Sequence, residues 1–123
     1  MTTFRNLNVY IKSKTLVKQV YALLKKFPIE ETYALCDQLR RAVISVPSNI
    51  AEGSGRTSAK DQAHFFFFFF GPLMEVDCQI DIAKDLGYVS LDEHEEVTVQ
   101  ISKVAALLSG MRRKILNVNS LTL

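Results

Sequence analysis

The sequence predicts an all-α protein, an antiparallel up-down four-helix bundle whose second helix is kinked at Pro47. Three observations lead there. Apolar residues recur at intervals of three and four along most of the chain, the period of an amphipathic helix. Five glycines and three prolines in 123 residues leave long uninterrupted segments and few turns. Capping signals fall at the ends of the periodic segments. A chain of this length, 48% hydrophobic, fits a single domain over residues 1–123 with one core.

The first helix is expected over about 7–26, with Val9, Leu16, Val20 and Leu23 on one face and Tyr10, Val17, Tyr21 and Leu24 beside it. Lys25 and Lys26 suit its last turn, where cations oppose the helix dipole, and Phe27-Pro28 ends it. The second helix is expected over 29–52, with Pro28, Glu30 and Glu31 at its start and Gly53 and Gly55 stopping it. Its stripe is Leu35, Leu39, Ala42, Val46 and Ile50. Pro47 lies inside that stripe and removes a backbone donor, hence the kink, with Ser45, Ser48 or Asn49 accommodating the freed groups.

The third helix is expected over 58–86, capped by Ser58 with Asp61, carrying Phe65, Phe69, Leu73, Val76, Ile80 and Ala83 inward and stopped at Gly87. Ser90 with Glu93 forms a capping box for a fourth helix over 91–117. There Val97, Ile101, Val104, Leu108, Met111 and Ile115 alternate four and three, Arg112 to Lys114 are assigned to the last turn, and the tail beyond Asn117 is expected to fray.

Phe65 to Phe70 is a run of six phenylalanines. At about 100° per residue six positions sweep a whole helix, so some rings must face outward. Phe66, Phe67 and Phe70 are the candidates for an oligomer interface. Pro72 just beyond is expected to kink the third helix.

Net charge is only +2, but it is unevenly placed. Residues 1–60 hold ten Lys/Arg against four Asp/Glu, and residues 61–123 hold five against nine. Solvated faces of different sign, a phosphate-binding half, and pairing of the two halves between copies all fit this pattern. Lys12, Lys18, Arg40, Arg41, Arg56 and Lys60 are the candidate nucleic-acid contacts. Arg40 and Arg41 have a second possible role, a structural ion pair with Glu75 on the third helix. The choice between the two roles stays open at this level.

Catalysis has no support in the residue pattern. His64 and His94 are 30 residues apart without metal-ligand spacing, Gly53-Ser54-Gly55 lacks a phosphate-loop context, and Ser45 and Ser48 have no local base. No catalytic residue, metal, cofactor or small-molecule substrate is therefore expected. Cys36 and Cys78 have no paired spacing and are both expected in the core. Met1 to Lys14 is too polar for a signal h-region, and the ten residues Phe65 to Met74 fall short of the ~20 that span a bilayer, so a cytoplasmic protein without membrane contact is expected.

The stretch from Phe27 to Arg56, FPIEETYALCDQLRRAVISVPSNIAEGSGR, resembles the signature of the four-helix-bundle proteins encoded in intervening sequences of bacterial 23S ribosomal RNA genes. The resemblance rests on Phe27-Pro28, Glu31, Tyr33, Gln38 to Ala42, Ser45 to Pro47, Asn49 to Gly53 and Arg56. It extends weakly over FRNLNVY near the start and over Leu73 to Tyr88. The family usually has smaller or polar residues across Phe67 to Phe70 and serine in place of Pro72. The resemblance implies a compact bundle that forms homopentamers, and no enzyme activity. It also implies kinship with the accessory proteins of diversity-generating retroelements, which bind a reverse transcriptase and nucleic acid through a basic surface. The function expected from residues and resemblance together is a non-catalytic oligomeric protein recognising structured RNA, or an RNA–protein complex including a nucleic-acid enzyme. The competing expectation is a protein-interaction scaffold.

Overall fold

The structure, a computed structural model, describes residues 3–56, 58–68 and 70–122, without the side chains of 66, 67 and 118–122. It is an all-α bundle of α1 (Asn8–Leu24), α2 (Leu35–Ser54), α3 (Ala59–Phe67), α4 (Phe70–Asp85) and α5 (Leu91–Thr122). Short 3-10 turns occupy Phe4–Asn6 and Ile29–Glu31. The helix α1 packs on α2 and α5, and α4 packs on the same two helices from the other side, so α1 and α4 occupy opposite corners. The short α3 packs on α5 and α2, completing with α4 one arm of the bundle.

The predicted stripes form the core, apart from Phe69, which lies outside the described residues. Leu16 and Val20 of α1, Leu39, Val46 and Ile50 of α2, Leu73, Val76 and Ile80 of α4, and Val104 and Leu108 of α5 have no exposed surface. Each such aliphatic side chain contributes roughly 1.5–3 kcal/mol through burial. Polar contacts also tie α1 to α5. Lys26, just past α1, pairs with Glu93 at the start of α5, and Gln100 Nε2 donates to the Lys12 carbonyl at 2.8 Å.

Several boundaries differ from expectation, for identifiable reasons. Glu30 and Glu31 lie in a separate 3-10 turn that Pro28 precedes in extended conformation, and α2 begins only at Leu35. Ala34, at φ −118° and ψ −101°, leaves the helical region. Tertiary contacts hold this turn: Phe27 is buried against the Tyr88 ring at 5.3 Å, and the Tyr88 hydroxyl donates to Glu31 Oε2 at 2.9 Å. The helix α2 runs without interruption through Pro47 and ends at Ser54, with Gly53 buried inside it and Gly55 as its cap at an ordinary φ of −85°. Lys25 and Lys26 fall just beyond α1, where Lys26 meets Glu93.

The expected third helix is two helices. Phe68 caps α3 and α4 starts at Phe70, which places Pro72 in the first turn of α4, where a backbone N–H has no helical acceptor. The proline thus removes no hydrogen bond. At its other end α4 closes as expected at Gly87, with φ +79°. Tyr88 N–H donates to the Ala83 carbonyl at 2.9 Å and Gly87 N–H to that of Lys84 at 3.0 Å, a Schellman arrangement. The Ser90–Glu93 capping box is reciprocal, at 2.9 and 3.1 Å, and Ser58 Oγ accepts from Asp61 N–H at 3.0 Å. Because α5 continues to Thr122, Arg112 to Lys114 lie within the helix and not in its last turn.

Candidate nucleic-acid interface

Between Asn8 and Leu24 the helix α1 carries Lys12, Lys14 and Lys18 and no acidic residue. On α4, at the opposite corner, Glu75, Asp77, Asp81 and Asp85 stand against Lys84 alone. The sequence-level charge asymmetry therefore becomes a spatial one, with a basic and an acidic corner separated by the core.

On α1, Tyr10, Lys14, Val17 and Tyr21 follow one another by four, three and four residues and share a face. That face meets α2 along a groove of about 380 Å³. Val17, Ile44, Pro47 and Ala51 give the groove its aliphatic surface, Phe4 and Tyr10 its aromatic one, and the exposed Lys14, Lys18 and Ser48 its polar margin. Arg41 shares a helical face with Ile44 and Ser48. The Phe4 and Tyr10 rings meet edge to face at 5.0 Å. Lys14 Nζ lies 5.0 Å from the Tyr10 ring centre, and the Arg5 guanidinium 4.6 Å from that of Phe4.

Of the six candidate cations, only some are brought together. Lys18 is exposed between the α1–α2 groove and a second hollow toward α5 that also holds Gln19, Lys26 and Glu96. Lys12 is half-buried on the α5 side. Arg40 is half-buried on α2, and its charge partly offsets the burial that pushes the Cys36 thiol up. Arg41 is exposed and bonds Asp37 one turn earlier at 3.2 Å. Arg56 and Lys60 sit apart, around the link from α2 to α3. There Arg56 bonds Glu52 at 3.4 Å and stacks on the Phe65 ring at 4.4 Å.

Three expectations are corrected. Among the described residues no ion pair joins Glu75 to Arg40 or Arg41: Glu75 points to solvent from the face of α4 opposite the core, and Asp37 holds Arg41. Phe70 does not face outward, because it packs half-buried against the core, while Phe68 is 58% exposed. The side chains of Phe66 and Phe67 lie outside the described residues. Cys36 is buried as expected, but Cys78 is exposed, since it lies across α4 from Leu73, Val76 and Ile80.

Sequence reasoning missed Lys14, Tyr10, Ile44 and Ser48 as parts of one surface. The four-residue step from Lys14 to Lys18 was the available signal; the pairing of α1 with α2 across the groove was not. The histidines have local partners: His94 Nε2 is 2.6 Å from Asp81 Oδ1, and His64 meets the Phe68 ring at 4.9 Å. Among the described residues no cluster of three His, Cys, Asp or Glu side chains could hold a metal ion, and no helix is long and apolar enough to cross a membrane.

No curated protein matches the chain. The profile of one family, described as 23S rRNA-intervening sequence protein, matches residues 5–110, which includes all of α1 to α4 and most of α5. With the match covering most of its length, the chain belongs to the 23S rRNA-intervening sequence protein family.

Proposed function

We propose that this protein is a non-catalytic, oligomeric binding protein of the cytoplasm that recognises structured RNA, or an RNA–protein complex, through the basic surface of α1 and α2. The acid-free α1 carries this reading: Lys14 and Lys18 face solvent at the corner opposite the acidic α4, Lys14 on the groove and Lys18 between the groove and a hollow that also holds Glu93 and Glu96. The RNA association in the family's description supports it. Lysines supply charge without base-reading geometry, so affinity comes from phosphates and from RNA shape. Further copies of the chain, in an expected homopentamer, and a nucleic-acid enzyme are the protein partners consistent with this reading.

A scaffold without nucleic-acid binding is the second reading. The exposed Met74, Ile82 and Leu86 on and just after α4 favour it, as do the local carboxylates that hold Arg41 and Arg56. Native mass spectrometry with and without a structured RNA, followed by affinity measurements across salt, separates the two. If three to four phosphates are neutralised, affinity falls by roughly 40- to 150-fold between 50 and 200 mM salt. An absent or salt-insensitive complex rejects the RNA reading.

A further inference from the structure

The α1–α2 groove has a composition that phosphate contacts alone do not call for. Phe4 and Tyr10 line it, Tyr21 continues the same face of α1 and is 39% exposed, and lysines alternate with these rings along the helix. From Tyr10 to Tyr21 is about 16 Å along the helix axis. The floor is aliphatic, with Ile44 42% exposed, and the Ser48 hydroxyl is the polar group that α2 contributes. The groove is also closed at one end, because the Phe4–Asn6 turn packs on both α1 and α2.

From these features we infer that the groove seats unpaired bases of the RNA, the aromatic and aliphatic walls taking the base faces while Lys14 and Lys18 hold the flanking phosphates. This inference rests on the RNA reading above and narrows its ligand to RNA with a bulge, loop or single-stranded segment. Aromatic walls beside exposed cations are the pairing by which single-strand sites combine stacking with backbone attraction. In an A-form duplex the bases are stacked and paired, and an apolar recess of this kind has nothing to receive. An amphipathic acidic helix would also match the charge, but helix-binding grooves take a row of anchors along an open channel, whereas the Phe4 turn blocks this one. Base identity is not read, since the lining offers the hydroxyls of Ser48 and Tyr10 but no amide or carboxylate side chain to match a base edge, so the preference is for unpaired structure and not for sequence.

The test compares three fluorescent RNAs of similar length at fixed salt: a blunt hairpin, the same hairpin with a two-nucleotide bulge containing 2-aminopurine, and a single strand. The bulged and single-stranded forms are expected to bind about tenfold more tightly than the blunt one, and 2-aminopurine emission to change on binding. Ser48→Phe fills the groove from an exposed position and leaves every cation in place. It is expected to abolish the preference while blunt-hairpin affinity changes less than twofold. Ile82→Glu on α4, at a similarly exposed aliphatic position, is expected to change nothing. Equal binding of the three RNAs by the unaltered protein, or equal loss for all three in Ser48→Phe, overturns the base-seating role and leaves the basic-surface reading standing. Binding of none of them rejects both. A change of subunit number in Ser48→Phe with the RNA preference intact assigns the groove to another copy of the chain, and overturns the inference as well.

Discussion

The outer face of α4 and the α1–α2 groove expose aliphatic side chains to nearly the same degree: Met74 and Ile82 are 45% and 44% exposed, and Ile44 is 42% exposed. Around them the charge is opposite, since α4 adds four carboxylates against one lysine and α1 adds lysines alone. They differ in shape too, one being a convex helix face and the other a concave groove with aromatic walls. Exposed apolar area alone therefore does not tell a ligand site from a subunit contact. Sign of charge, curvature and aromatic content separate the two surfaces, and they support the proposal that RNA meets α1–α2.

The strongest way to break the contrast is to remove the core that keeps the corners apart. Leu39→Ala, at a side chain with no exposed surface, is expected to cost about 2–5 kcal/mol in urea unfolding. Ile44→Ala, only five residues along α2, is expected to cost below ~1 kcal/mol. Similar losses from the two would mean that the groove wall is core. Gly87 comes next, because its φ of +79° fixes the exit of α4. Gly87→Ala is expected to cost about 1–2 kcal/mol from backbone strain, and an unchanged midpoint in thermal unfolding would show that the Schellman turn can be replaced. Ser90→Ala, which removes the α5 cap, is expected to cost about 1 kcal/mol. The smallest effect concerns pH. Hydrogen bonds from Lys26, then from Ser90, hold the Glu93 carboxyl below its usual range. A depressed folded-state value stabilises the protein above the unfolded-state value and loses that contribution as pH falls through the folded one. Stability measured from pH 7 down to pH 3 should therefore decline in the acid range, and Lys26→Ala should flatten part of that decline. The opposite sign applies to Tyr88, raised chiefly by its bond to Glu31: its contribution is lost above the ordinary tyrosine range.

Most of the bundle was legible because helical period reports burial directly. Leu73, Val76, Ile80 and Ala83 follow the predicted spacing and are all fully buried. The breaks were harder to read. The separation of Ile29–Glu31 from α2 depends on Tyr88, 57 residues away from its bonding partner. The break before Phe70 was hidden because six identical phenylalanines carry no internal signal of which ring turns inward, although Pro72 marked the neighbourhood. For the site, the excess of cations was visible as composition, but which cations act together was not. Arg41 and Arg56 looked available in sequence and are engaged by Asp37 and Glu52 one turn away, a four-residue spacing that could have been noticed. The groove is a product of tertiary packing: Ile44 looked like an ordinary off-stripe residue until α1 was placed beside it.

The central claim is that the α1–α2 corner, and not the α4 corner, meets RNA. It is tested most directly by measuring RNA affinity across a salt series for Lys14→Glu/Lys18→Glu and, in parallel, for Glu75→Lys/Asp85→Lys. The account predicts that the first pair weakens binding by more than about tenfold and reduces the steepness of the salt dependence by about two phosphate contacts, while the second pair leaves binding equal or slightly tighter. Unchanged affinity in the α1 variant, or a comparable loss in both, contradicts it.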